Sequence, residues 1–147
     1  DNRRMLERFA RSLAAGCAVG VIVQEALWAG LGMADPDGSL NRALVAGPQA
    51  DGVWFPLLTS WLIGGAAAGL MATLVGRRRA SGHSAGGLMS ISAFAVCRLA
   101  WPESGALVAV CLTPSLGAAL GSGLGQRIVS SDWKSPAQIG IAMLRRA

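Results

Sequence analysis

Twenty-two consecutive residues, Phe55 to Gly76, carry no ionisable side chain. About 20 apolar residues in a helix cross the roughly 30 Å hydrocarbon core of a bilayer, so this run has the length of a transmembrane span. A second run, Ser12 to Met33, is interrupted only by Gln24 and Glu25. A third region, Ala80 to Ile128, is too long for one span. Trp101-Pro102-Glu103-Ser104-Gly105 divides it, because Pro and Gly favour a turn and Glu103 resists burial. The pattern predicts an all-α integral membrane protein, a four-helix bundle in one domain over residues 1–147, with spans at about 12–33, 55–76, 86–101 and 106–125. Composition agrees: 14% of residues are charged and 52% hydrophobic, where a soluble domain carries about 25% charged. Too few polar residues remain to clothe a soluble enzyme, and disorder is excluded by the apolar content.

Lys and Arg orient the helices, because basic residues collect in cytoplasmic loops. Arg3, Arg4, Arg8 and Arg11 precede the first span, Arg77, Arg78 and Arg79 follow the second, and Arg127, Lys134, Arg145 and Arg146 follow the fourth. If four helices alternate, all of these fall on one side, and the other side receives Arg42 with Asp35, Asp37, Asp51 and Glu103. Both termini are therefore expected in the cytoplasm, with the chain multi-pass in the inner (cytoplasmic) membrane. The net charge of +5 follows from this topology. Nucleic-acid binding would interleave aromatic or polar residues among the basic ones on a soluble face, which these clusters lack. The chain begins at Asp1 without a start methionine, as a processed or trimmed chain would. Its first apolar run exceeds the 7–15 residues of a typical signal-peptide core, and so is expected to be an uncleaved helix.

No chemistry is written in the motifs. Cys17, Cys97 and Cys111 all fall inside predicted spans, without a C-x-x-C spacing or a His at ligand distance, and read as small apolar packing residues. The lone His83 lies in the Ser/Gly-rich stretch Ala80 to Gly87, which is expected to be a cytoplasmic loop. There is no Ser-His-Asp set, paired carboxylate motif or phosphate loop, so neither catalysis nor a metal or cofactor is expected.

What the helices do carry is small residues at four-residue spacing, which let backbones approach in lipid. The first span has Gly16 and Gly20, the second Gly65 and Gly69, and the fourth Gly117, Gly121 and Gly125. These stripes serve either packing inside one bundle or, for the fourth helix, docking on another subunit. Glu25 and Arg98 are the charges inside predicted spans. Glu25 lies roughly 12 Å below the outer end of its helix and Arg98 about 5 Å below its own. They suit a mutual ion pair; an ion or substrate contact through Glu25 and a salt bridge to a partner helix are the alternatives. Trp28, Trp54 and Trp101 read as interface anchors and Trp61 as a lipid- or partner-facing residue. Pro114 in the fourth span frees a carbonyl one turn earlier and is expected to kink the helix. At the ends, Ser135-Pro136-Ala137-Gln138 is a capping signature for a short amphipathic helix over about 136–146, lying on the membrane surface or a partner. Arg3 to Leu13 is expected to do likewise, with Met5, Leu6, Phe9 and Leu13 on one face.

Ala46-Gly47-Pro48 and then Phe55-Pro56-Leu57-Leu58 lead into an uncharged helix closed by Arg77-Arg78-Arg79. A short third helix, Gly105 at a hairpin, a fourth helix, Gly125-Gln126-Arg127 and Trp133 follow. This layout resembles the small four-helix membrane subunit of tripartite tricarboxylate transporters, although here six residues (Gln49 to Trp54) separate Gly-Pro from Phe-Pro and the closing apolar segment is short. The resemblance implies a non-catalytic subunit beside a large permease served by a periplasmic binding protein. The residues themselves lead to an accessory subunit of a larger membrane complex, whether a transporter or an energy-transducing (respiratory or photosynthetic) assembly. The alternative is a self-sufficient homo-oligomeric transporter or channel that uses Glu25.

Overall fold

The structure is a computed structural model that describes residues 2–46, 54–100 and 107–132. Five helices account for nearly all of them: α1 (Asn2–Met33), α2 (Ser39–Ala46), α3 (Trp54–Gly76), α4 (Arg79–Ala100) and α5 (Leu107–Asp132). The four long ones form an all-α bundle, without strands among the described residues. Three stretches are long and apolar enough to cross a membrane: α1, α3 and Val108–Ser130 of α5. α4, with 22 residues, has the length but is less apolar, because its first half is rich in Ser and Gly and contains His83.

α3 is the central helix and packs against α1, α4 and α5, while α4 also packs against α5 and, more lightly, α1. The start of α1, the end of α3 and the start of α4 meet at one end of the bundle. A Cβ added at Gly76 would stand 2.5 Å from Ser81 Oγ and 3.1 Å from Ser12 Oγ. The end of α5 joins them through Gly125, which lies against Thr73. Arg3, Arg4, Arg8, Arg11, Arg77, Arg78, Arg79 and Arg127 are thereby gathered at this end, while α2 with Arg42 lies beyond the other end of α1.

Several boundaries differ from the sequence expectation. α1 is one unbroken helix of 32 residues, about 48 Å long at 1.5 Å per residue, so Arg3 to Leu13 is its first three turns rather than a separate surface helix. Nothing in that stretch interrupts it, and Arg3 and Glu7, 3.4 Å apart, pair along it. α4 starts at Arg79, and the expected loop Ala80 to Gly87, with His83, is helical. Mid-helix glycine costs up to about 1 kcal/mol, but Gly82 and Gly86 lie where a Cβ would collide with Ser122 and Ala118 of α5. Close packing outweighs local propensity there. α5 runs to Asp132, beyond the expected end at Gly125. α2 carries no apolar periodicity long enough to announce it. It is capped by the Asp35 carboxylate, which accepts from the Ser39 amide (3.0 Å), the Ser39 hydroxyl (2.7 Å) and the Leu40 amide (2.7 Å), satisfying amides that a helix start leaves open. The expected helix 136–146, Trp101 and Trp133 lie outside the described residues.

The core is built from small side chains. Ala68, Ala72, Ala85, Ala93 and Ala118 are wholly buried, and the largest fully buried side chains are Met89 and Val110. Trp61, expected to face lipid or a partner, is instead buried at 5% exposure in this core beside Leu57, where so many alanines and glycines leave room for one indole. Trp28 and Trp54 are partly buried against the same cluster.

Pro114 sits within α5 and cannot donate to the carbonyl of Val110, four residues earlier. The Thr113 hydroxyl takes that place, donating to Val110 O at 2.8 Å, the kind of side-chain substitution that lets proline sit inside a membrane helix. Thr113→Ala is expected to lower stability by about 1 kcal/mol, with Thr113→Ser restoring most of it. Equal melting of wild type and Thr113→Ala in mild detergent would show that the carbonyl finds its partner elsewhere.

Candidate functional site

The glycine stripes come first, because their destination decides what remains outside the bundle. Gly117 and Gly121 of α5 rest on the backbone of α3 at Leu62 and Ala66, and Gly65 and Gly69 of α3 rest on α5 at Pro114 and Ala118. Gly125 completes the seam against Leu70 and Thr73. On α1, a Cβ at Gly16 would fall 2.7 Å from the Ala68 carbonyl oxygen, and one at Gly20 would fall 2.9 Å from that of Gly64. Every one of these stripes is seated within the chain. The fourth-helix stripe is therefore not an open docking face: α3 already fills it.

Hydroxyls hold the same seams. Ser90 and Ser115 join α4 to α5 at 2.7 Å, while the buried Ser12, Ser60 and Ser122 return their protons to carbonyls of their own helices. Ser122 donates to Ala119 O, and the neighbouring Thr73 Oγ1 is buried without a hydrogen-bond partner among the described residues. This polar layer was not foreseen from sequence; its signal was serine and threonine in register with the glycines, as in Ser12, Gly16, Gly20 and Gln24.

Those four residues are the buried ones of α1, a single line at four-residue spacing. All other positions of α1 are partly or fully exposed. Gln24 closes the line, its Cβ 3.3 Å from where one would stand on Gly64. Gly64 lies ten residues after Trp54 and twelve before Gly76, at the middle of α3. Glu25 is the next residue, turned about 100° further around the helix, and is exposed. The carboxylate thus projects outward from α1 at the mid-height of the central helix, next to the exposed Val21 and Ile22.

Arg98 is exposed in the last turn of α4. The expected ion pair is not formed: the salt bridge among the described residues is Arg3–Glu7, and none joins Glu25 to Arg98. α1 turns Gln24, not Glu25, toward the bundle.

The remaining polar candidates are the three cysteines and His83. Cys17, Cys97 and Cys111 are free thiols; Cys97 is buried in the core and Cys17 approaches Ala85 O at 4.0 Å. His83 is exposed on the first half of α4. Among the described residues no group of three His, Cys, Asp or Glu is placed to hold a metal ion. No family model matches the chain, and no curated protein or solved structure was found similar to it.

Proposed function

We propose that the chain is a non-catalytic accessory subunit of a larger membrane complex, crossing the bilayer four times with both termini cytoplasmic. The observation that carries this reading is Glu25, an ionisable group on an outward helix face at mid-height. A charged side chain at the centre of a lipid-facing helix costs roughly 2.5–3.5 kcal/mol on insertion scales, and a polar group on a neighbouring subunit relieves that cost. The rest of α1 supports the same reading, because one narrow line of it is buried and its other faces are open to a partner. The gathering of eight arginines at one end supports a cytoplasmic placement of that end. A cysteine at position 83 in place of His83 should then resist an impermeant reagent added outside, and one at position 37 in place of Asp37 should react. Reversed labelling would overturn the topology.

The resemblance in layout to the small subunit of tripartite tricarboxylate transporters makes a solute permease the preferred partner. Mild-detergent extraction from the native membrane, followed by mass measurement, tests the assembly. A particle containing this chain and a larger membrane protein is expected. A defined homo-oligomer would favour the alternative, a small transporter or channel in which copies of Glu25 face one another. A monomer would defeat both readings.

A further inference from the structure

The first turns of α1 lean across the end of α3 and the start of α4 and form with them a half-open cavity of about 660 Å³, within the 300–1,000 Å³ range of small-ligand sites. Its wall is divided by chemistry. Arg4 and Arg8, four apart and so on one helix face, line it from α1, and Arg78 lines it from the turn between α3 and α4. Beside them Met5, Leu6 and Phe9 supply an apolar strip, each still exposed to the surroundings. Arg78 Nη1 stands 3.8 Å from Met5 Sδ, so the cationic and apolar parts share one space.

Among the described residues no carboxylate lies within 4.0 Å of Arg4, Arg8 or Arg78, the nearby Glu7 being paired with Arg3. Ser81, buried in the first turn of α4, also lines the cavity. That first turn holds no acidic residue, and the Ser81 amide donates to Arg78 O at 3.1 Å, which fixes the turn that carries Arg78. Three guanidiniums suit the oxygens of a phosphate, because each offers a planar fork of donors. The apolar strip distinguishes a lipid from a free ion. It leads from the arginines onto the exposed apolar face of α1, where an acyl chain can lie.

We propose that this cavity binds the headgroup of an anionic phospholipid, with Arg4, Arg8 and Arg78 on the phosphate and the chain along Leu6 and Phe9. Such a site goes beyond the accessory-subunit reading and is independent of it, since it needs no second protein. Each arginine near an anionic lipid is worth about fivefold in affinity.

Titration of the purified full-length chain in neutral detergent with dioleoyl phosphatidylglycerol or dioleoyl phosphatidylcholine, read by native mass spectrometry, tests it. Phosphatidylglycerol should be retained at least tenfold more tightly. The triple variant R4Q/R8Q/R78Q should lose about a hundredfold and with it that preference, while its lipid-free melting stays that of wild type. R127Q, at the same end but outside the cavity, should change retention less than about twofold, and F9S should weaken it severalfold. Should the triple variant fail to melt cooperatively, R8Q alone, with its fivefold loss, decides the matter in the same way. Equal retention of the two lipids, or an equal loss from R127Q and R8Q, would overturn the proposal. Displacement of phosphatidylglycerol by low-millimolar inorganic phosphate would overturn it as well, in favour of a free-anion site.

Discussion

Replacing Gly121 by leucine is expected to destroy the bundle in the isolated chain, before any question of partners arises. A Cβ at this position would stand 2.8 Å from the Ala66 carbonyl carbon and 3.0 Å from its Cα. These are backbone atoms of the central helix, so no rotamer change relieves the clash. α5 must move away from α3, and the contacts of Gly117, Gly125, Gly65 and Gly69 open together. The expected loss is about 3 kcal/mol or more, the upper end of overpacking effects. Gly30→Leu is the natural comparison, because nothing lies within 4 Å of its added Cβ and, as a better helix former, leucine there should leave stability unchanged or raise it by up to about 1 kcal/mol. Cooperative melting of Gly121→Leu at the wild-type temperature would mean that α3 and α5 do not share this seam.

Glu25→Leu should act in the opposite direction on the isolated chain and in a damaging direction on its assembly. Removing an outward carboxylate from mid-bilayer lowers the cost of inserting α1 by about 3 kcal/mol, so insertion of this helix in a translocon assay should become more complete. Any partner group that meets the carboxylate loses its counterpart in the same change, so the particle extracted in mild detergent should shrink. The two readouts separate the explanations. Better insertion with an unchanged particle would mean that Glu25 faces lipid, and poorer insertion would mean that the carboxylate is stabilised within its own chain. Because Glu25 and Arg98 form no pair, Glu25→Gln and Arg98→Gln should combine additively to within about 0.5 kcal/mol.

How much of this was legible in the sequence depended on whether the cause was local. Phe55 to Gly76 reads as a span and becomes α3, Trp54–Gly76, because an uncharged run of bilayer length has few other uses. The segregation of arginine to one end also survives, since antiparallel neighbours alternate whatever their details. The glycine stripes were visible as close-packing devices, but spacing alone does not say which helix a stripe meets. Gly117 and Gly121 meet α3 within the chain. The start of α4 was misread because Ser81, Gly82, Ala85 and Gly86 look like a loop in isolation, and only Ser122 and Ala118 across the seam explain why they are helical and buried. Trp61 was misplaced for a related reason: its burial depends on the smallness of residues far away in the sequence. That Gln24 rather than Glu25 is buried was also out of reach, because depth along a helix can be counted from sequence while rotation about it cannot. The arginine-lined cavity was beyond reach, as it exists only where residues 2–9 meet residues 76–81.

A core assembled from alanine, glycine and serine inverts the usual relation between residue size and mutational sensitivity. In a soluble domain the costly positions are the large buried side chains, whose truncation leaves holes. Here the fully buried positions are mostly among the smallest, truncation has little to remove, and enlargement is the injurious change. A saturation scan of this chain should therefore show its deepest intolerance at Gly65, Gly69, Gly82, Gly117 and Gly121. Leucines such as Leu112, Leu116, Leu120 and Leu124, which point away from the bundle, should exchange freely with other apolar residues. Variation among natural versions of such a protein would accordingly concentrate in its bulky residues, with the small ones as the fixed skeleton.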